Sequence, residues 1–241
     1  MNNHQLTMKL RIHQFLPVSY ANGPGCRAVL WVQGCPLHCP GCFNPNTHAF
    51  GQGQWVRVDE LAARISALGP GLEGISISGG EPLMQAPALV ELLRHIKRHT
   101  LLSVILFTGY TWAETQSLLC RSPESSKDKP ASLPQPPTHD RTFKVPDSAL
   151  TRVPSLLDYV DVLIAGRYSQ PLRVATGLRG STNKTIHFFT NRYSLHDIES
   201  VPAAEIIIYP DGGIIASGIA DVDVGMKQRS AYTGVNHERI I

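Results

Sequence analysis

The sequence predicts an α/β fold built on a mostly parallel sheet. Two observations carry this. Short β-rich apolar runs alternate with segments of helical periodicity from residue 27 to about residue 120, an alternation met by parallel strands joined through crossover helices. The third run, 101–107, is apolar almost throughout instead of alternating, as in strands covered on both faces.

The elements follow in order. Residues 27–33 form the first strand, which ends directly at Gly34-Cys35. Asp59 is placed to cap a helix in which Leu61, Ile65 and Leu68 recur at helical spacing, and Gly69-Pro70 stops it. Residues 75–78 form a second strand and run into Gly79-Gly80-Glu81-Pro82. A helix from about Pro87 puts Leu89, Leu92, Leu93 and Ile96 on one side. Its last turn carries Lys97, Arg98 and His99, which suit the negative end of the helix dipole. The third strand, 101–107, is followed by Thr111 and Glu114 at capping-box spacing. Residues 121–148 are rich in Pro, Ser and charge and read as a flexible insertion. Strands resume at 159–164, 185–189 and 205–209, and Asp211-Gly212-Gly213 turns the last of these into 214–216. One domain is expected over 1–241, with its core at about 22–220.

Composition excludes several classes. The chain has 241 residues with 42% hydrophobic and 17% charged, ordinary for a globular protein that needs no disulfide staples. A formal charge of +3 is too small for a nucleic-acid or membrane surface. No apolar run approaches the roughly 18 residues that span a bilayer. The first stretch lacks the apolar core of a signal peptide, so a cytoplasmic location is expected.

Five cysteines stand at 26, 35, 39, 42 and 120. Three of them fall in eight residues, Cys35-Pro-Leu-His-Cys39-Pro-Gly-Cys42, which is the pattern of a metal site and not of a disulfide framework. Cubane iron–sulfur clusters take four thiolates. Three would leave one iron open to a ligand, as a catalytic metal requires. Structural zinc with His38 or His48 as fourth ligand is the alternative on spacing alone. Cys26 and Cys120 lie outside the pattern and read as small buried hydrophobes.

Gly79-Gly80-Glu81-Pro82 lies between a strand and a helix, which puts it at the carboxyl end of an open α/β sheet, where ligands bind. No Gly-Lys-Ser/Thr follows, so it is not a P-loop. A purely structural turn is the simpler reading of these residues taken alone. Their place one strand and helix after the cysteine loop would put both at the same end of the sheet.

Together these residues resemble the radical S-adenosylmethionine (SAM) superfamily. Gly23-Pro-Gly-Cys-Arg27 and the stretch from Trp31 to Pro45, with Pro40-Gly41-Cys42 inside it, narrow the resemblance. They look like the activating proteins of glycyl radical enzymes, and within these most like activators of anaerobic ribonucleotide reductase. The resemblance is dense from Asn22 to about Tyr110 and traceable over 159–184.

The resemblance implies a partial (β/α) barrel. It implies a [4Fe–4S] cluster on Cys35, Cys39 and Cys42, with SAM chelating the open iron through its amino and carboxylate groups. Gly79, Gly80 and Glu81 would hold the SAM amino group, and Gly41 and Phe43 would lie near its nucleoside end. Reductive cleavage would give a 5′-deoxyadenosyl radical that takes a hydrogen atom from a glycine of a partner, expected to be an anaerobic ribonucleotide reductase. An electron donor such as flavodoxin or ferredoxin is implied, and no nucleic acid or membrane. No catalytic residue is expected beyond the cluster and SAM. The alternatives are a radical SAM enzyme acting on a small molecule, nucleoside or peptide, and a non-catalytic zinc or iron–sulfur module. Two positions depart from the pattern. Ala165 stands where these activators often carry Asp, and Lys184 stands where Gln is common.

Overall fold

The structure is a computed structural model and describes residues 8–119 and 156–220. Its elements in order are β1 (Lys9–Ser19), β2 (Arg27–Val32), β3 (Gln54–Arg57), α1 (Val58–Ser66), β4 (Gly74–Gly79), α2 (Ala86–His99), β5 (Ser103–Thr108), α3 (Trp112–Leu119), β6 (Val162–Ala165), β7 (Thr185–Phe188), α4 (Leu195–Glu199), β8 (Ala204–Ile208) and β9 (Ile214–Gly218).

Seven strands form one sheet in the order β3-β1-β2-β4-β5-β6-β7. The central four, β2-β4-β5-β6, run parallel. Antiparallel strands flank them, β1 and β3 on one side and β7 on the other. The fold is therefore mixed α/β with a parallel heart. Parallel neighbours need crossovers, and α1 and α2 supply the first two.

The central strands are buried on both faces, and period 2 sorts their side chains. On one face Ala28, Leu30, Ile75, Ile77, Val104, Leu106 and Leu163 pack with α1 (Leu61, Ile65) and α2 (Leu89, Leu92, Leu93, Ile96). On the other, Ile105, Val162 and Ile164 pack with Leu178, Ile198 and Val201. Arg27, wholly buried, lies at the amino ends of the strands. Its guanidinium donates to Ser76 Oγ, Ser103 Oγ and Ile75 O at 2.9 Å each and to Tyr193 Oη at 3.0 Å. A charge so placed is tolerated only because its donors are met.

Several expectations shift. β1 and β3 were not anticipated, so the described core begins at Lys9 and not near residue 22. β1 alternates charged and apolar residues only as far as Ile12. Pro17 then interrupts it, and the pairing with β2 slips between Leu16 and Ser19. The third strand starts at Ser103 because Leu101 points into solvent, 90% exposed. The strand expected at 159–164 is Val162–Ala165, after a 3-10 turn at Leu157–Tyr159. Asp161, between that turn and β6, accepts from Val104 N and Lys97 Nζ, both at 2.7 Å. Asp59 lies inside the first turn of α1 and pairs with Arg57, the N-cap. The Thr111–Glu114 capping box forms as expected, as does the turn at Asp211 between β8 and β9. The insertion at 121–148, Cys120 and the tail beyond residue 220 lie outside the described residues.

Candidate cluster and cofactor site

All four parallel strands end on the same side of the sheet, and the loops that follow them meet there. β2 leads through Gln33 and Gly34 into Cys35. Gln33 is buried, and its side-chain amide donates to the carbonyls of Asn46 (3.0 Å) and Ala49 (2.8 Å). Gly34 N and Cys35 N donate to Thr47 O (2.8 Å) and His48 O (3.0 Å). The cysteine loop is thus closed at its base by main-chain bonds before any metal is considered.

Inside the loop, Cys42 N donates to Cys39 O at 3.1 Å. The sulfurs also receive donors. Asn44 N points at Cys42 Sγ at 3.4 Å, and the N–H groups of Leu37 and His38 point at Cys35 Sγ. Cys39 lies within electrostatic reach of both other thiols. Burial pushes the Cys35 thiol up to about 12 and raises that of Cys42, outweighing the N–H donors. Bare, these groups stay protonated. A metal would bind them as thiolates and release the protons. Gly41, at φ +69°, holds a conformation that a side chain would strain, and a Cβ there would also have to displace the end of the Gln170 side chain, 2.7 Å away.

The Gly-Gly-Glu turn is bonded directly to this loop. Gly80 N donates to Val32 O and Glu81 N to Gly34 O, both at 2.8 Å. Gly80 lies so close to Gly34 O that a Cβ would collide with it. These two N–H groups are therefore committed to the protein. A ligand ammonium, itself a donor, would have to use carbonyl oxygens here.

Glu81 is 1% exposed and serves the frame. Its carboxylate accepts from Leu83 N (3.0 Å), Thr108 Oγ1 (2.8 Å) and Gly109 N (2.8 Å). It joins the turn after β4 to the turn after β5. Burial raises its carboxyl to about 7 despite three donors that favour the charged form.

The loop after β6 closes the far side. Tyr168 packs on Phe43 with ring centroids 4.5 Å apart, and the Arg173 guanidinium lies 4.9 Å from the same ring. Phe43 is thus held among protein side chains. Arg167 forms a two-pronged pair with Glu114, at 2.7 and 2.9 Å. That pair holds the Glu114 carboxyl down at about 2. Lys184 immediately precedes β7, within electrostatic reach of Cys39, Cys42 and Glu81. Tyr110 is buried and its hydroxyl points at Met84 Sδ, 3.9 Å away. Trp112 stacks on His187 at 4.5 Å.

The residues named from sequence therefore gather at one end of the sheet. Sequence reasoning did not find Gln33, Thr108 or Gln170, whose roles depend on partners 13 to 129 positions away, so no local spacing could announce them. Among the described residues no group of three or more His, Cys, Asp or Glu closes on a single ion. His38 and His48 lie edge to face, 5.0 Å apart. Three thiols in one loop, with N–H donors aimed at two of them, fit a thiolate-bound cluster.

Comparison with known proteins agrees. A family model described as a 4Fe-4S single cluster domain matches residues 21–127. The anaerobic ribonucleoside-triphosphate reductase-activating protein of Vibrio cholerae is 30% identical over 189 residues, 75% of this chain and 99% of that one. Its namesake from Enterobacteria phage T4 is 28% identical over 187 residues, 75% and 96% of the two chains. The pyruvate formate-lyase-activating enzyme of Clostridium pasteurianum matches over 113 residues at 31% identity, 45% of this chain and 48% of its own. Among solved structures, QueE from Escherichia coli overlies 44% of this chain and 54% of its own at 19% identity, with a TM-score of 0.38, too slight a likeness to bear on the fold. With its cysteine loop and Gly-Gly-Glu turn joined at one end of a parallel sheet and a relative matched almost end to end, the chain belongs to the family of anaerobic ribonucleoside-triphosphate reductase-activating proteins.

Proposed function

We propose that this protein is a radical SAM activase that installs a glycyl radical on an anaerobic ribonucleotide reductase. The observation that carries the reading is the hydrogen-bonded union of the cysteine loop with the Gly-Gly-Glu turn, Glu81 N to Gly34 O at 2.8 Å. It supports one composite site for a metal group and a ligand lying beside it. When bound, a [4Fe–4S] cluster and SAM would supply reductive cleavage of a sulfonium C–S bond and hydrogen-atom abstraction.

The chain's own residues bind, orient and shield. Cys35, Cys39 and Cys42 would hold three irons and leave the fourth for SAM. Carbonyls of Gly79 and Gly80 would receive the SAM ammonium, while Glu81 keeps their turn against the turn after β5. Gly41 and Phe43 would border the nucleoside. Tyr168 and Arg173, packed on Phe43, help to exclude water from that side. The electron would come from a small flavin or iron–sulfur protein such as flavodoxin or ferredoxin. The activity is assigned to the cytoplasm; among the described residues no helix is long and apolar enough to cross a membrane.

The test is anaerobic. The cluster is reconstituted, SAM and dithionite are added, and 5′-deoxyadenosine is assayed with and without anaerobic ribonucleotide reductase. The reductase is then examined by electron paramagnetic resonance. Product accompanied by a glycyl doublet on the reductase is the expected result. Product without a partner radical would move the substrate to a small molecule, nucleoside or peptide. No product from a fully loaded protein would remove the catalytic reading.

A further inference from the structure

Among the described residues Lys184 has no ion-pair partner, and it lies within electrostatic reach of Cys39 and Cys42. Its place is built by the fold. Ala165 at the end of β6 pairs with Thr185 at the start of β7, so Lys184 and Gly166 lie side by side just past the last rung. A Cβ on Gly166 would come within 3.3 Å of Lys184 Cα and 3.5 Å of its Cγ, so the glycine leaves the lysine stem its room.

The approach to Lys184 is tied down at several points. Thr182 N donates to Leu172 O at 2.8 Å, Asn183 Nδ2 to Arg167 O at 2.9 Å and Lys184 N to Ser181 O at 3.3 Å. Gly180 abuts the Phe43 ring. The segment is therefore braced both on the loop after β6 and on the cysteine loop.

The half-buried ammonium feels opposing influences. Burial lowers its pKa, and Cys39, Cys42 and Glu81 oppose that once they carry charge, as thiolates on a metal do. Its neighbours are spoken for in a way that isolates it. Arg167 also reaches Cys39 electrostatically, but its charge is clasped by Glu114. The Glu81 carboxylate is already met by three donors. What remains for Lys184 to balance is the charge of the thiolates.

We propose that Lys184 is a positioning residue whose fixed positive charge offsets the Cys39 and Cys42 thiolates and raises the reduction potential of the cluster they hold. The inference rests on the cluster reading above. A cluster that accepts one electron becomes more negative, so a nearby cation stabilises the reduced form more than the oxidised form.

The test is a spectroelectrochemical titration of the reconstituted protein, without SAM, with dithionite as electron source. Wild type, Lys184→Met, Lys184→Gln and Lys184→Arg are compared, with iron and sulfide content measured for each. At the potential that half-reduces the wild type, the two neutral variants should show a ratio of reduced to oxidised cluster about tenfold lower, which for one electron is about 59 mV. Lys184→Arg should stay close to wild type. If both neutral variants fail to hold a cluster while Lys184→Arg holds one, the charge acts at assembly and not on the potential, and the proposal is overturned. Equal midpoints in all four proteins would overturn it. Cluster loss in all three variants would also overturn it, by making the lysine a packing element. A wild type that takes up no iron and sulfide would instead refute the cluster reading itself.

Discussion

Cys35, Cys39 and Cys42 differ from Cys26 in what surrounds them. The three share one loop with N–H donors at two of the sulfurs. Cys26 is half-buried at the edge of the hydrophobic core, before the strand that leads to the loop. Cys39→Ala is therefore expected to lose nearly all iron and acid-labile sulfide after reconstitution, and Cys26→Ala to keep the wild-type content. Metal and sulfide assays decide it; a full cluster in Cys39→Ala would remove the assignment. Glu81 shows how a residue's type can be read from sequence while its task is not. Its acidity suggests a ligand contact, yet its carboxylate accepts from Leu83 N in its own turn and from Thr108 and Gly109 at the end of β5.

At the scale of elements, the loops that follow parallel strands carry the site, and their spacing is tight. Gly80→Ala would drive a Cβ into Gly34 O, a main-chain atom held in place by Glu81 N. An expected loss of about 1–3 kcal/mol follows from such overpacking. It should appear as a fall in Tm of about 2–4 °C per kcal/mol in a chain of this size. Gly71→Ala, whose Cβ meets nothing within 4 Å, should be nearly neutral.

The Arg167–Glu114 pair ties α3 to the exit of β6, and both side chains are about 40% exposed, at 39% and 41%. Its worth is therefore under about 1 kcal/mol. Glu114 is lowered from 4.5 to about 2 in the folded protein, so the native state binds its proton less readily than the unfolded chain. The pair's stabilisation is present above about pH 4.5 and fades as pH falls toward 2. In urea unfolding, Glu114→Gln should be less stable than wild type at about pH 7, with the gap closing near pH 3. A gap that does not change with pH would show that the pair contributes nothing through its charge.

For the whole molecule, the two hydrophobic clusters on the faces of the sheet contain none of the three loop cysteines. The base of the cysteine loop is closed by main-chain and Gln33 bonds. Removing the cluster should therefore leave the fold standing. Chelation is expected to preserve the far-ultraviolet circular dichroism and a cooperative thermal transition, at a lower Tm because a group bound only by the native state stabilises it. Collapse of the helical signal would show instead that metal organises the core, as in small zinc domains.

The chain's own pattern determined the parallel heart of the fold and the three thiols. Both rest on local information: apolar runs of strand length, helical spacing between them, and three cysteines within eight residues. The capping box at Thr111 and the turn at Asp211 were legible for the same reason, since their bonds span three and two residues. β1 was hidden because Pro17 interrupts it and its apolar positions do not alternate cleanly beyond Ile12. β3 was hidden because it is four residues long and mostly exposed. Tertiary structure alone decided that Glu81 accepts from Thr108 and Gly109 and that Gly41 faces Gln170. It alone brought Lys184 within electrostatic reach of Cys39 and Cys42, more than 140 residues away. Local sequence carries short-range bonds and hydrophobic periods, while contacts across the ends of a parallel sheet exist only once the strands have paired and brought their loops together.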